Sequence, residues 1–288
     1  MSTVLPPLHE LPLRRLTLDD LVACADLSED RGWPREEHKW GLLLTAGRGY
    51  GIDDPLGKGL LTACVVTSYG TGLAAVGMVL VAERYARRGV GRHLMVQVLQ
   101  ALGDTPVTLH ATPNGQPLYE RLGFEVTGRA EMVRGAFTGA VPPGEGPATR
   151  PATAEDVQSM LRLDHGAFGL DRTHMIARLP AFADHLQVAE EGGELVGFGA
   201  LWPNMETHVV GPLVARDTRT AKALVAALAA RTDRPLRTDV DVRHEELLVW
   251  LKANGLEPVA FNAVMTRGLP GLPGDWTRRF APLTVAAG

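Results

Sequence analysis

Two short segments in the first half of the chain carry residue types that suit anion binding and proton transfer. Residues 81–92 have the sequence VAERYARRGVGR, in which an apolar stretch leads through an arginine- and glycine-rich turn into an amphipathic helix. The first N–H groups of a helix have no intrahelical acceptor, and the helix dipole favours an anion there. Two glycines let a ligand approach the backbone closely. The predicted anion cradle consists of Arg87, Arg88, Gly89, Val90, Gly91 and Arg92.

The second segment, residues 118–124, has the sequence LYERLGF and places Tyr119 on a short predicted helix that ends at Gly123. A phenol within hydrogen-bond reach can protonate a basic leaving group, such as a thiolate, late in a reaction step. Tyr119 is therefore the candidate general acid. The alternative is a partly buried aromatic side chain that packs under the turn.

Together, the turn and the tyrosine segment resemble the acyl-CoA-binding turn and the tyrosine-bearing helix of the GCN5-related N-acetyltransferase (GNAT) family. The resemblance implies an acetyltransferase that uses acetyl-CoA as co-substrate. It implies that the turn binds the pyrophosphate and that Tyr119 protonates the departing CoA thiolate. It also places the thioester and the pantetheine amides on the strand before the turn, at Met78, Val79, Leu80 and Val81.

Three features depart from the family pattern. The residue three before Gly89, usually Arg or Gln in the family, is Ala86. The family's asparagine, seven residues before the tyrosine, is replaced by Thr112, although Asn114 lies two residues later and is a candidate CoA contact. Residues 73–82 also lack the carboxylate that commonly relays the proton of the amine through water.

The acceptor amine must lose a proton before or during attack, and His110 is the candidate base. It lies on the predicted strand 107–112, which ends near the cofactor site, and its unperturbed pKa suits proton transfer. A structural role is the alternative, because histidines on apolar strands are commonly structural. Glu83, at the end of the preceding strand, is a second candidate base.

Aromatic residues also mark the segment that shapes the acceptor pocket in GNAT proteins. Trp33, His38 and Trp40 fall in this segment. The two tryptophans are two helical turns apart, so that packing in the core is an equal alternative to lining the pocket.

The composition predicts a globular protein of two domains. The chain has 288 residues, 45% of them hydrophobic, and a net charge of -4 with interspersed signs, which argues against nucleic acid as a partner. No apolar run reaches the roughly 18 residues that a membrane span needs, and no signal pattern begins the chain, so we expect a cytoplasmic location. Cys24 and Cys64 predict neither a disulfide framework nor a metal site, and they suit the core as small hydrophobes.

A duplication organises the chain. Residues 138–151, TGAVPPGEGPATRP, predict a linker, and the halves around it echo each other. VGMVLVA at 76–82 resembles VGPLVA at 210–215, and the stretches that begin at Gly123 and Gly255 also correspond, at an offset near 133 residues. We therefore predict a catalytic domain over 1–140, a linker over 141–151 and a degenerate GNAT-like domain over 152–288.

The order of elements predicts fold class α/β (α+β), with two tandem GNAT folds, each a mixed, mostly antiparallel sheet flanked by helices. Thr17 predicts a helix N-cap, and Pro34 the first residue of a second helix. The predicted helices cover 17–27, 35–46, 91–102, 116–122, 154–165, 172–179, 220–230 and 244–253. The predicted strands cover 13–16, 60–67, 73–82, 107–112, 125–133, 187–189, 195–202, 207–214, 237–242 and 258–266.

Position matching predicts that the second half has lost the cofactor equipment. Residues 220–224, TAKAL, stand where the turn 87–91 stands, and Leu251 stands where Tyr119 does. Bulky side chains thus replace both glycines, and no proton donor remains.

The second half carries a further resemblance, to the C-terminal domain of tandem-GNAT acetyltransferases of the bacterial YitH/YitI type. The matching residues are 164–172, DHGAFGLDR, and the later Asp239 and Asp241, with 111–119, ATPNGQPLY, in the first half. Asp171 and Arg172 form either a local ion pair at a helix start or a contact with the acceptor. We expect the second half to close one side of the acceptor cleft, so that deleting 150–288 weakens acceptor binding more than acetyl-CoA binding.

The sequence therefore predicts an acetyl-CoA-dependent N-acetyltransferase in which a neutral primary amine of a small molecule or peptide attacks the thioester. Backbone N–H groups near Leu80 and Val81 polarise the carbonyl. Two alternatives stay open: a non-catalytic acyl-CoA sensor, and an acetyltransferase of thiol biosynthesis acting on an amino-sugar thiol precursor. A dinucleotide-binding module is excluded, because the chain lacks a Gly-x-Gly-x-x-Gly turn in a parallel unit. We expect no nucleic-acid or membrane partner, and a homodimer stays open.

Overall fold

The computed structural model describes residues 7–141 and 145–288. The α-helices of this part of the chain are α1 (Leu21–Asp30), α2 (Glu37–Ala46), α3 (Val90–Leu102), α4 (Gln116–Glu120), α5 (Val157–Phe168), α6 (Thr173–Ile176), α7 (Leu179–Phe182), α8 (Thr218–Ala229) and α9 (Glu245–Ala253). Its strands are β1 (Arg14–Leu16), β2 (Arg48–Asp53), β3 (Leu60–Tyr69), β4 (Leu73–Val81), β5 (Val107–Ala111), β6 (Glu125–Gly135), β7 (Ala148–Pro151), β8 (His185–Glu191), β9 (Glu194–Asn204), β10 (Thr207–Ala215), β11 (Leu236–Asp241), β12 (Glu257–Arg267) and β13 (Arg279–Ala281). Short 3-10 helices cover Leu8–Glu10, Leu18–Asp20, Glu83–Tyr85, Ala154–Asp156 and Trp276–Arg278.

The two halves share one continuous sheet, because they exchange strands. The order is β1-β2-β3-β4-β5-β12-β6-β11-β10-β9-β8-β7, with β13 paired to β10. Strand β12 of the second half lies between β5 and β6 of the first, and β6 lies between β12 and β11. The predicted mixed, mostly antiparallel architecture is confirmed. The expected pair of separate sheets is replaced by a single one, since each half covers an exposed strand edge of the other.

The predicted linker overlaps this sheet. Strand β7 occupies the last four residues of the range 141–151 and pairs with β8. Residues 142–144 of the same range lie outside the described residues. Across the described ranges, no helix combines the length and the apolar character that a membrane crossing requires.

Local signals explain the start of each half. Thr17 is a helix N-cap, as the sequence predicted, and it forms a capping box with Asp20. Thr153 and Asp156 form the same box in the second half. The start predicted for the second helix was wrong: α2 begins at Glu37, because its N-cap Glu36 adopts a left-handed conformation with φ 44°.

Strand β2 was not predicted, because its sequence RGYGID contains two glycines, which have low strand propensity. Packing explains them. A Cβ on Gly49 or Gly51 would lie 2.8–2.9 Å from side-chain atoms of Leu16 on the neighbouring strand β1. The glycines therefore make room for Leu16, which is buried in the core.

A gap opens in the sheet of the first half. The parallel strands β4 and β5 pair only at Ala74 and Ala75, and beyond these residues the edge of β4 that faces β5 forms no ladder. A bulge follows on β4, where Met78 has φ 53°. The narrow end of the gap is filled by the last residues of the chain. A Cβ on Gly77 would collide with the carbonyl oxygen of Ala286, and the Tyr69 hydroxyl donates a hydrogen bond to the Ala287 carbonyl.

Candidate active site

A cavity of about 920 Å³ lies along the free edge of β4, at the wide end of the gap. The end of β4, the turn before α3 and the helix α4 surround it. The predicted site residues that line it are Val79, Leu80, Val81, Arg87, Gly89, Val90, Gly91, Arg92, Asn114 and Tyr119. The structure thus brings the turn, the strand and the tyrosine to one cavity.

The turn presents consecutive N–H groups to this cavity. Gly89 is the N-cap of α3, with φ 82°, and the first intrahelical bond runs from the N–H of His93 to the Gly89 carbonyl, at 2.9 Å. The N–H groups of Val90, Gly91 and Arg92 have no acceptor within the described part of the chain. These free donors and the positive end of the helix dipole suit an anion with several oxygen atoms.

Three residues that the sequence did not identify brace the turn. Tyr85 lines the cavity and donates a hydrogen bond to the Asp54 carboxylate at 2.9 Å, and Arg84 Nε donates to the same carboxylate at 2.8 Å. Burial raises the pKa of Asp54, but hydrogen bonds from Leu56 N–H, Arg84 and Tyr85 outweigh it and hold the pKa below its usual value. Some 30 residues separate Asp54 from these partners, so no local motif announces the contact.

Two predicted cofactor residues do not line this cavity. Met78 lies on the bulge of β4 and faces a second cavity, because the reversed φ at the bulge turns its side chain away from its neighbours on the strand. Arg88 is absent from the lining, and its guanidinium carbon lies 5.8 Å from the centre of the Tyr85 ring. Ala86 lines the cavity without contributing a polar side chain.

Tyr119 is 8% exposed and holds its ring against Phe124, with centroids 6.0 Å apart. Its hydroxyl makes no hydrogen bond to the described residues. Burial raises the pKa of Tyr119, so the phenol keeps its proton through the physiological range. A buried, protonated phenol beside the cavity has the chemical form that a general acid requires.

The second cavity, about 510 Å³, adjoins the first at Trp33 and Thr112, which line both. Met78 and His110 line it from the first half. The second half contributes residues from β9, β11, β12 and the C-terminal segment, among them Asn204, Arg237, Asn262 and Val285. Two cavities therefore meet at the bulge of β4, and the second is built by both halves.

His110 lies on β5 at this junction, with Nδ1 buried and without a hydrogen-bond partner in the described residues. Burial and the positive charge of Arg279 lower the pKa of His110 to about 4. The imidazole is therefore neutral at pH 7. It can accept a hydrogen bond there, but its conjugate acid is too strong to hold a proton from an ammonium group.

The remaining candidate residues differ in whether they line a cavity or pack elsewhere. Trp33 is 38% exposed and lines both cavities. Trp40 is fully buried, and its indole N–H donates to Ser28 Oγ at 2.9 Å. His38 stacks on Phe182, with centroids 4.3 Å apart, away from both cavities. Glu83 lines the first cavity and forms an ion pair with Arg31.

Asp171 and Arg172 form local contacts and line neither cavity. Asp171 Oδ1 accepts a hydrogen bond from the N–H of Thr173 at 2.7 Å, at the start of α6. Arg172 is buried and pairs with the carboxylate of Asp164 at 2.6–2.7 Å. The helix start is therefore as expected, but the ion pair forms between Arg172 and Asp164 and not between Asp171 and Arg172.

The corresponding groove of the second half is closed by the chain itself. Strand β10 pairs with β11 only at His208 and Val209, and β13 then pairs with β10 at Leu213 and Val214. Helix α8 begins three residues after β10 ends, so residues 220–224 lie inside a helix and not in a turn. At the start of α8, Asp217 accepts the Thr220 N–H at 2.8 Å.

Comparisons with known proteins agree with this arrangement. Two family models, each described as an acetyltransferase (GNAT) domain, match residues 66–137 and 160–281, one in each half. The uncharacterized N-acetyltransferase YitH of Bacillus subtilis is 28% identical to the chain over 227 residues, which are 75% of this chain and 77% of that protein.

Solved structures share the fold over nearly the whole chain. A proposed acetyltransferase from Pyrococcus horikoshii superposes with a TM-score of 0.81 at 20% identity, over 96% of both chains. A tandem GNAT protein from the clavulanic acid biosynthesis pathway superposes with a TM-score of 0.66 at 15% identity, over 92% of this chain and all of that chain. At these identities the likeness shows the fold alone.

Proposed function

Because the chain belongs to the GNAT family and carries two GNAT domains in tandem, we propose that its first half transfers an acetyl group from acetyl-CoA to a primary amine. Acyltransferase activity is what the two family models and the N-acetyltransferase relative support. The observation that carries the finer proposal is the junction of two cavities at the bulge of β4, where one suits the cofactor and the other an acceptor.

Acetyl-CoA fits the chemistry of the first cavity. The free N–H groups of Val90, Gly91 and Arg92 would bind the pyrophosphate, and each charge-assisted hydrogen bond contributes roughly 1.5–3 kcal/mol. The free edge of β4 would hold the pantetheine amides in strand-like hydrogen bonds, since Val79–Val81 line the cavity. Bound in this way, acetyl-CoA supplies a thioester at the junction.

The chain's own groups would then guide a direct transfer. The amine nitrogen attacks the thioester carbon, so that a C–N bond forms as the C–S bond breaks. Backbone N–H groups near Leu80 and Val81 polarise the carbonyl oxygen. Tyr119 donates its proton to the sulfur, the amine nitrogen releases one proton to solvent, and the Tyr119 phenolate takes up one proton from solvent, which restores the acid. His110, neutral and with a free Nδ1, accepts a hydrogen bond from the incoming amine and orients it.

The test combines binding with turnover. Calorimetry should show one acetyl-CoA site per chain, and a panel of primary amines should release free CoA thiol. Tyr119→Phe should lower kcat about 10- to 10⁴-fold through loss of acid assistance, with little change in acetyl-CoA affinity. Tyr50→Phe is the matched control, because Tyr50 lies on β2 and lines neither cavity.

Each result would test a different part of the proposal. An unchanged kcat in Tyr119→Phe would remove Tyr119 from the mechanism. Acetyl-CoA binding without turnover over a broad amine panel would favour the acyl-CoA sensor over the transferase. An absence of acetyl-CoA binding would contradict the assignment of the first cavity.

A further inference from the structure

Two arginines lie opposite each other on adjacent strands at the wall of the second cavity. Arg134 of β6 and Arg237 of β11 are direct cross-strand partners, and both line this cavity. Directly opposed like charges destabilise an antiparallel pair. Such a pair at the wall of a cavity is consistent with binding of an anion, because an anion placed between the two guanidinium groups relieves their repulsion.

The carboxylates near this pair compensate the charges of Arg237 and Lys39 but not the charge of Arg134. Arg237 lies within 3.5 Å of both Glu36 and Asp239, and Lys39 pairs with Glu36, so these two cations and two carboxylates balance.

The side chain of Arg134, an exposed residue, makes no hydrogen bond or ion pair with any described residue. Glu257, its cross-strand neighbour on β12, is not within ion-pair distance. Glu206, the remaining carboxylate of the lining, lies exposed on the turn between β9 and β10.

Three buried polar atoms near this pair also lack partners; one of them, Asp239 Oδ1, belongs to a residue that does not line the cavity. Arg237 Nε, a donor, and Asn204 Oδ1, an acceptor, make no hydrogen bond within the described ranges, and both residues line the cavity. Asn204 is 6% exposed. Buried polar groups are normally hydrogen-bonded, so each of these atoms indicates a place for a ligand atom. An anionic oxygen suits Arg237 Nε, and an N–H or O–H suits Asn204.

The arginine pair is remote from the reacting centre. His110 of β5 is level with Gly128 of β6, through Val264 of β12, whereas Arg134 lies six residues further along β6. Two strand spacings across the sheet and six residues along β6 together amount to about 22 Å. An arginine side chain recovers only part of that distance. An anionic group bound there cannot therefore be attached to the carbon next to the reacting nitrogen.

We propose that the acceptor is an extended primary amine with a carboxylate several bonds from the nitrogen, and that Arg134 and Arg237 bind this carboxylate. The inference rests on the proposed acetyl transfer and names the class of its acceptor. Arg134 is the residue to probe, because replacing Arg237 would leave the buried Asp239 without its cation.

The kinetic test compares 6-aminohexanoate with hexan-1-amine, which differ at the end remote from the nitrogen. The wild type should prefer 6-aminohexanoate about 10- to 100-fold in kcat/KM, the range expected for one or two charge-assisted hydrogen bonds. Arg134→Gln should remove most of this preference, mainly through KM. Arg129→Gln should retain it, because Arg129 lies on the same strand, five residues earlier, is exposed and lines neither cavity. Equal kcat/KM for the two amines in the wild type would overturn the inference and leave acetyl transfer intact.

A second measurement needs no turnover. Saturation-transfer NMR with hexanoate should detect binding to the wild type and to Arg129→Gln, and loss of binding in Arg134→Gln. Hexanoate binding that depends on Arg134 would support the anion site even if no amine were acetylated. In that case the proposed acetyl transfer would be contradicted and the anion site would not. No hexanoate binding to the wild type would overturn the anion site.

Discussion

In the first half, the strand before the turn keeps a free edge, whereas in the second half the chain occupies that edge itself. Beyond Ala75, β4 pairs with no described strand on the side of β5, and Leu80 and Val81 line the large cavity. Their counterparts at the repeat offset, Leu213 and Val214, pair with β13. The same architecture therefore gives an open groove in one copy and a closed sheet in the other.

The helix after each of these strands differs in the same way: the start of α3 is open and the start of α8 is capped. Eight residues separate β4 from α3, and the turn they form leaves its N–H groups free. Two residues separate β10 from α8, and the carboxylate of Asp217 caps the helix. The first N–H groups of α3 thus have no acceptor among the described residues, which suits an anion, whereas a carboxylate of the chain itself caps the start of α8.

The largest expected effect concerns the exchange of strands between the halves. A fragment of residues 1–141 lacks β12, which lies between β5 and β6. We expect no cooperative thermal transition by circular dichroism, because a central strand is missing. This replaces the deletion test suggested by the sequence, in which the first half was treated as separable.

The control for this prediction is the full chain cleaved within 141–146. Both halves should stay together on a sizing column, since β6 and β12 remain in the sheet. A cooperative transition in the isolated fragment would show that the halves fold independently.

The second prediction converts the open turn into one that resembles the start of α8. In a Gly89→Glu, Gly91→Glu double variant, carboxylates compete for the free N–H groups and repel phosphate, so acetyl-CoA binding should weaken at least about 100-fold by calorimetry. Gly103→Glu is the control. Gly103 also has a positive φ, at the other end of α3, and has open space around it. Unchanged binding in the double variant would mean that the turn does not hold the cofactor.

The third prediction uses pH to test the buried histidine of the open half. The pKa of His110 is about 4 in the folded protein against 6.5 for an ordinary histidine, so the unfolded chain takes up a proton first as the pH falls. Its contribution to stability should be complete above pH 6.5 and decline towards pH 4. Thermal denaturation should show a smaller loss over this range for His110→Gln than for the wild type. Parallel curves for the two proteins would contradict the burial of a neutral imidazole.

The smallest effect is expected at the closed half. Asp217→Ala should lower the free energy of unfolding by about 1 kcal/mol, the usual value of an N-cap. It should create no second acetyl-CoA site, because β13 still fills the groove. Asp104→Ala, at an exposed residue after α3, serves as the control in urea denaturation. A stoichiometry of two in Asp217→Ala would show that the cap alone closes the second site.

Much of the fold and of the lining of the first cavity could be predicted from local patterns. The turn before α3, the capping box at Thr17 and the Tyr119 helix each depend on a few consecutive residues. The lining of the second cavity could not be predicted in the same way. Arg134, Asn204 and Arg237 come from three strands of both halves, and no spacing in the sequence places them together.

The sequence by itself determined the duplicated plan, the glycine-containing turn before α3 and the loss of those glycines in the second half, because each depends on residue types and spacing over a short range. Only the tertiary structure decided that the halves exchange β6 and β12, that β13 closes the second groove, and that the last residues fill the narrow end of the first. The physical reason is that strand pairing is a contact between distant segments. Alternation of apolar residues predicts a strand and its buried face but does not specify the strand beside it.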